Sequence, residues 1–532
     1  MKIVVTGETE PDAIEVTGGQ SATVVNVTAG LVWAVNSRTG NVTGLAEADD
    51  VPVIADLGIY QVTGAAGNGT TDDRAAIQAA IDVCSTAGGG TVIIPAGRTY
   101  AVTDYLYVPS NTTIYAYGAT VKATGVHGLV RLYRAADTFN GFAGHSNINI
   151  LGGTWDANAN DGTTGTVSGL VNAFTLGHNS DITFRDVTVK NVSCAHAIDI
   201  TASRRVKITS CRFLGFADNT VTQDVTVENC YFGSSERLGP FGRAVGSHTS
   251  VSGDYYDNIT VTCCRIEGAR EEAIRPYAWR RAVITGNVIS GTGTSSIVIT
   301  GPDPAVAGYN LTSHMITVAD NIIEAPVTLT PIRVVGFSAA KPTGVRIHGN
   351  TVINSPSTGI YVSYADKPSI SGNTVTGSVS SSIYAINCTA PQITRNMSVG
   401  AIGSAIGIDT CTGGTVNGNN IEGAASGTGH GCFIGTSTDV TVTGNRVSAV
   451  RGSGIRATST ALRTRIYGNT VLRGGVTALG IDVTASATGG VAVGNDLTGS
   501  SWPGGTALSI LATGTILDYA GGTTSPGHNL VS

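Results

Sequence analysis

The sequence predicts an all-β fold, a right-handed single-stranded parallel β-helix, with an N-terminal capping α-helix and a small N-terminal β module. Three features predict it: a phrase returning at a near-constant period, short β-branched runs with Gly at their corners, and one amphipathic helix before the first coil. The phrase is an alternating apolar–polar strand that ends in Asn and resumes with one or two apolar residues, as in VITGNVI and VTVTGNRV. It recurs at Asn287, Asn321, Asn350, Asn373, Asn396, Asn419, Asn445, Asn469 and Asn495, mostly 23 to 26 residues apart with exceptions of 34 and 29. A period of that size marks stacked repeats rather than one globular core. Alternation with Gly punctuation makes each unit mostly strand, and each coil then adds one rung of about 4.8 Å. Asn amides stacked at one inward corner are expected to hydrogen-bond from coil to coil as a ladder.

Towards the N-terminus the same slot holds Cys264, Cys230 and Cys211, then Val187 and Gly153. Three cysteines in one column read as buried small apolar filler. No CxxC or mixed Cys/His spacing supports a metal centre, so neither metal nor cofactor is expected.

Composition narrows the function classes. A net charge of −6 gives no basic face for nucleic acid or an anionic membrane. No apolar run reaches the length of a membrane span. The opening MKIVVTGETEPDAIEV is charged and β-like, unlike a secretory signal. Nine cysteines, an odd number sitting mostly in strands, argue against a disulfide framework. Folding in a reducing cytoplasm is expected, with later work elsewhere in an assembled particle.

Along the chain, residues 1–58 fall outside the coil period and read as a β module or docking arm. Residues 59–125 hold the cap helix and first coils, 126–500 the solenoid body, and 501–532 a C-terminal cap segment. Within 67–102, Thr71 or Asp72 offers a helix N-cap. Ala76, Ile77, Ala80, Ile81 and Cys84 form an apolar stripe, and Gly88–Gly90 ends the helix. Such a helix would cover the open solenoid end, where core and backbone are otherwise exposed.

This segment resembles the N-terminal signature of the pectate-lyase-like superfamily: a GDGxTDD-type turn, an AIQxAID helix, then GGGTVxxPAGxY. The matching residues are Gly67–Asp73, Ala76–Asp82 and Gly88–Tyr100. The resemblance implies the fold and cap, and a range of activities spanning lyases, hydrolases, epimerases and bacteriophage tailspikes. Polygalacturonase-type NTD, DD, GHG and RIK motifs do not occur in order, and the DPHE of mannuronan epimerases is absent, so no catalytic set carries over. The expectation is a virion tailspike or tail fibre protein. It would bind, and hydrolyse, a host surface polysaccharide, assemble as a homotrimer, and dock to other tail or baseplate proteins through residues 1–58. A binding-only fibre and a bacterial lyase or epimerase are the alternatives.

Coil steps of 34 residues (153 to 187, 230 to 264 and 287 to 321) put projecting loops in the middle of the chain. The later rungs read as a regular structural rod. The strand upstream of the slot aligns NAFTL, HAIDI, GFADN, RAVGS and EAIRP. Alternation then gives an outward column of Thr175, Asp199, Asp218, Gly246 and Arg275 beside one of Asn172, His196, Gly215, Arg243 and Glu272. Carboxylates Asp199 and Asp218, roughly 5 Å apart on consecutive coils, would split their pKa values into acid and base. Glu272 and His196 complete the catalytic candidates, with Glu271, Glu236 and His248 in reserve. Arg243 and Arg275 would hold an acidic sugar, with Tyr277 and Trp279, beside Arg280 and Arg281, as an exposed stacking platform. Competing readings exist: Asp218-Asn219 as a turn, His196 as a satisfied strand residue, and Arg275 as an ion-pair partner. Tyr277 and Trp279, like the outward Tyr361 and Tyr384, also read as subunit contacts.

Overall fold

The computed structural model describes residues 58–497, apart from 161–164, 168–170, 193–195, 217–222, 235–241, 248–254, 302–310, 325, 327, 424–426, 459, 473–478 and 485–488, together with three short strands beyond. The chain divides into two units, Met1–Ile54 and Ala55–Ser532. The expected N-terminal β module, residues 1–58, falls in the first unit up to Ile54, and its residues 1–57 lie outside the described residues.

The second unit is a stack of coils whose strands pair in parallel with the coils before and after. One coil shows the pattern: strand Ile360–Ser363, strand Ser369–Ser371, the slot at Asn373, strand Thr374–Thr376, then Ile383–Ile386 opening the next. We call the sheet before the slot the first, the sheet after it the second, and the remaining face the third. Inward positions stack like on like. Ile347, Ile370, Ile393, Val416, Val442 and Ile466 follow one another in register in the first sheet, all buried. This is the stepwise burial expected of a solenoid, in which each coil covers only its neighbours.

The Asn column forms the expected ladder. The Nδ2 of Asn287 donates to Oδ1 of Asn321 (2.9 Å) and to the carbonyl of Val261 (3.0 Å), while its backbone N–H also donates to Asn321 Oδ1 (3.0 Å). The same bonds repeat at each rung as far as Asn469 and Asn495. The repeating phrase has a backbone cause as well. The residue before the slot is left-handed in every coil from Asp186 to Gly494, with φ between 52° and 66°. Glycine adopts that conformation without a Cβ penalty, so Gly precedes Asn at seven of the nine slots; Asp320 and Arg395 take the other two.

Cys211, Cys230 and Cys264 continue the column and are buried, each thiol donating to a carbonyl such as Thr209 O (3.3 Å) or Glu228 O (3.2 Å). Hydrogen bonding to Cys230, with burial, pushes the Cys264 thiol well above its ordinary value. A second corner column escaped the sequence reading. Between the third and first sheets, the N–H of Cys388 donates to Cys411 Sγ (3.3 Å) and that of Cys411 to Ser437 Oγ (3.0 Å).

Helix α1 spans Arg74–Thr86 and buries Ile77, Ile81 and Cys84 in the same core. Its N-cap is Asp73, one residue beyond the expected Thr71 or Asp72, and it makes no side-chain cap bond. Asp73 instead accepts from the backbone N–H of Ala66 (2.6 Å) and Gly67 (3.1 Å), tying down the preceding turn. Asp72 is committed to Thr103 and to Arg74 N. The end cover is specific. Gln78 accepts from Tyr107 N (2.8 Å) and donates to Tyr107 O (3.1 Å), standing in for the missing strand beside Leu106–Tyr107. Gln78→Leu is therefore expected to cost about 2–5 kcal/mol by orphaning both backbone groups, read as a lowered denaturant midpoint; an unchanged midpoint would refute the cap role.

At the other end, strands Leu508–Ile510, Ile516–Leu517 and Leu530–Val531 pair with Ile481–Val483, Val491–Val493 and Asp496–Leu497. Part of the expected cap segment 501–532 thus adds one more rung.

Candidate functional site

The third sheet carries the outward chemistry. Among the described residues it consists of a four-stranded stretch ending at Ile198–Thr201 and an eleven-stranded stretch beginning at Val245–Gly246. The register places Thr175 beside Asp199 and Gly246 beside Arg275, as the alignment of NAFTL, HAIDI, RAVGS and EAIRP predicts. Asp218 falls outside the described residues, as do Glu236 and His248.

Asn172 organises what is described. Its Nδ2 donates to Asp199 Oδ2 (2.9 Å) and its Oδ1 accepts from the His196 N–H (3.1 Å), so one amide holds both residues of the next coil. Thr201 Oγ1 donates to the other Asp199 oxygen (3.0 Å). Further along, Arg243 Nε donates to Glu272 Oε2 (2.9 Å), its Nη2 pairs with Glu271, and Arg275 Nη1 stands 4.0 Å from the same Glu272 oxygen. The structure thus brings Glu272, Arg243 and Arg275 together as an ion-pair cluster.

Tyr277 and Trp279 are corrected. Both are buried, Trp279 fully, so they form no exposed platform. Left-handed Ala278 (φ 54°) and Arg281 (φ 53°) break the alternation around Trp279 and turn its indole inward. There its Nε1 donates to Ser247 Oγ (3.0 Å), and that hydroxyl donates to the carbonyl of Tyr277 (2.8 Å). Arg280 and Arg281 stay on the surface, paired to the buried carboxylate of Asp257. Burial works to raise that carboxyl, and the two guanidiniums outweigh it and hold it below the usual carboxylate range.

The largest feature missed by sequence reasoning sits on the regular coils. In strict register on the third sheet's outer side run Arg333, Tyr361, Tyr384, Gly407, Phe433, Arg456 and Asp482. Tyr361 and Tyr384 lie nearly parallel, 7° apart with centroids at 6.4 Å. Tyr384 leans over Gly407, where an added Cβ would come within 2.3 Å of its ring. Its hydroxyl donates to Asp409 Oδ2 on that rung (3.1 Å), and Asp409 Oδ1 accepts from Thr436 N (2.7 Å). Burial first, then Asp409, pushes the phenol far up, so it stays protonated. Beyond Gly407, His430 stacks on Phe433 (6.1 Å, 15°), and Arg456 reaches Asp482 (3.5 Å). Arg333 has no carboxylate within 4 Å among the described residues. The available signal was positional: the second residue of each third-sheet strand, in IRVV, IYVS, IYAI, IGID, CFI and IRA.

Comparison with known proteins bears on the fold first. The solved structure of PfbA, a Streptococcus pneumoniae surface protein and adhesin, superposes with a TM-score of 0.56 at 21% identity, over 70% of this chain and 98% of PfbA. The chain has the right-handed parallel β-helix fold that its sequence predicts. In sequence, this β-helix is 28% identical over 272 residues to the plasmin and fibronectin-binding protein A of S. pneumoniae, covering 42% of the chain and 38% of that protein. It is 38% identical over 146 residues to mannuronan C5-epimerase AlgE5 of Azotobacter vinelandii, covering 24% of the chain and 13% of the enzyme. The matches thus span well under half the length of either relative. The family model described as periplasmic copper-binding protein (NosD) matches residues 303–429 and 336–480. Copper does not fit the side chains described there. Among the described residues no three His, Cys, Asp or Glu side chains converge as a metal site. The stacked Cys388 and Cys411 are sealed inside the coil with their thiols on carbonyls.

Proposed function

We propose that this β-helix binds an acidic polysaccharide, polymannuronate in the first instance, laid along the outward face of the third sheet. The observation carrying the reading is the register-matched column of Arg333, Tyr361, Tyr384, Phe433 and Arg456. A rung spacing of about 4.8 Å is close to the length of one sugar residue, so successive rings and carboxylates meet successive side chains. Aromatic faces stack on sugar rings and guanidiniums pair with carboxylates. The similarity to the epimerase supports the choice of polymer. Retention of the protein on immobilised polymannuronate, and release by the free polymer, is the expected result. Passage without retention would overturn the proposal.

A second reading adds chemistry at Asp199, favoured by the Asn172 amide that holds Asp199 and His196 in one place. Incubation with the polymer is then expected to yield shortened or epimerised chains, lost in Asp199→Ala; full activity in that variant would remove the assignment. Homotrimeric assembly and residence in a virion tail, docked through residues 1–58, extend the proposal. A light-scattering mass of one chain would exclude the trimer.

A further inference from the structure

The first rungs of the third sheet carry a second cationic–aromatic cluster that the column above does not include. Arg131 stands in register with Tyr107 on one side and Thr175 on the other. Its guanidinium carbon lies 3.9 Å from the centre of the Tyr105 ring and 5.7 Å from that of Tyr133. Tyr133 in turn lies over Gly177, where a Cβ would come within 2.9 Å of the ring, the same tyrosine-over-glycine arrangement as Tyr384 over Gly407. His127 packs against Tyr105 at 5.6 Å and is exposed.

Charge makes this cluster distinct from ordinary surface packing. Arg74 pairs with Asp104 (3.9 Å) and Arg134 with Asp82 (3.3 Å). Arg131 has no carboxylate within 4 Å among the described residues, and its Nε is buried without a hydrogen-bond partner. A guanidinium backed by the buried Tyr105 ring, beside half-buried Tyr133 and without a carboxylate partner among the described residues, favours an anionic ligand with a flat apolar face.

Spacing links the two places. From the coil of Arg131 to the coil of Tyr361 the second sheet steps eight times, through strands beginning at Thr154, Thr188, Arg212, Tyr231, Arg265, Val288, Ile322 and Thr351. Eight rungs of about 4.8 Å make about 38 Å.

We infer that Arg131, between Tyr105 and Tyr133, forms a second polysaccharide subsite about 38 Å from the Tyr361–Tyr384 pair, so that one long acidic chain engages both. This rests on the polysaccharide-binding reading and adds to it a second site and a length requirement. A fragment too short to span the rungs occupies the two sites separately. A chain that spans them gains from the high effective concentration of its second contact, an effect of about 100-fold.

Calorimetric titration with size-fractionated polymannuronate tests this. Wild type is expected to take two short fragments (about four sugars) per chain, and to bind a long fraction (about sixteen sugars) about 100-fold more tightly than the short one. Arg131→Gln, alone and with Tyr133→Ala, is expected to leave one short fragment per chain and to abolish the length advantage; far-ultraviolet circular dichroism confirms that each variant is folded. Equal affinity of wild type for both fractions, or one short fragment per wild-type chain, overturns the second subsite while the first stands. Absence of binding by either fraction overturns the polysaccharide reading itself, and the second subsite with it.

Discussion

Asn373→Ala is expected to destabilise the β-helix by about 2–6 kcal/mol, the cost of two buried groups that each lose a hydrogen-bond partner at about 1–3 kcal/mol. Asn373 is fully buried, and its Oδ1 accepts both the N–H (3.0 Å) and the Nδ2 (2.9 Å) of Asn350. Its own Nδ2 donates to the carbonyls of Ile347 (2.9 Å) and Ser371 (3.2 Å) and to Asn396 Oδ1 (2.9 Å). With the side chain gone, the Asn350 Nδ2 still reaches Val318 O and His348 O. The Asn350 N–H and the Ile347 carbonyl lose these partners inside a packed coil. Coils contact only their neighbours, so the damage is local, and the readout is a lowered denaturant midpoint or a faster unfolding rate. Asn287→Cys supplies the control. Asn287 is the first Asn after the cysteine column, bonded to the N–H of Cys264 (2.9 Å). A thiol can accept such an N–H, as Cys411 does from Cys388, so moving the Cys–Asn boundary by one rung is expected to cost less than Asn373→Ala. Loss of less than about 0.5 kcal/mol in Asn373→Ala, the level of an ordinary surface substitution, would show that the ladder is not what holds these coils.

The ladder and the fold were legible because their cause repeats. One corner needs a left-handed residue followed by an amide, and Gly-Asn meets that need so well that it recurs in the chain as text. The outward register of Asp199, Arg243, Glu272 and Arg275 was also legible, since strict alternation holds through HAIDI, RAVGS and EAIRP. Alternation failed at Trp279, where two left-handed residues that are not glycine, Ala278 and Arg281, turn the strand with no compositional mark. The Arg333–Arg456 column was obscured for a different reason. Its positions repeat but its residue types do not, and Tyr361 and Tyr384 alone suggested subunit contacts. Only the pairing of each strand with the next shows that Arg, Tyr, Tyr, Gly, Phe and Arg stand in one file.

Tyr384→Ala is expected to weaken polymannuronate binding by about 30-fold, the roughly 2 kcal/mol of an interface hot spot. The hydroxyl already donates to Asp409, which is itself anchored by Thr436 N, so the ring face rather than the phenol is what Tyr384 offers a ligand. Tyr384→Phe is therefore expected to bind within about threefold of wild type, a difference of under 1 kcal/mol. Gly407→Ala separates position from composition. It keeps every aromatic group, yet its Cβ would fall 2.3 Å from a Tyr384 ring carbon and force the ring off its shelf. Gly407 has no left-handed φ, so the substitution adds no backbone strain of that kind, and its expected loss matches that of Tyr384→Ala. Affinity electrophoresis in polymannuronate gels reads all three variants side by side. Equal losses in Tyr384→Phe and Tyr384→Ala would assign recognition to the hydroxyl and its carboxylate. Wild-type mobility of Gly407→Ala would show that the sugar does not lie on this face.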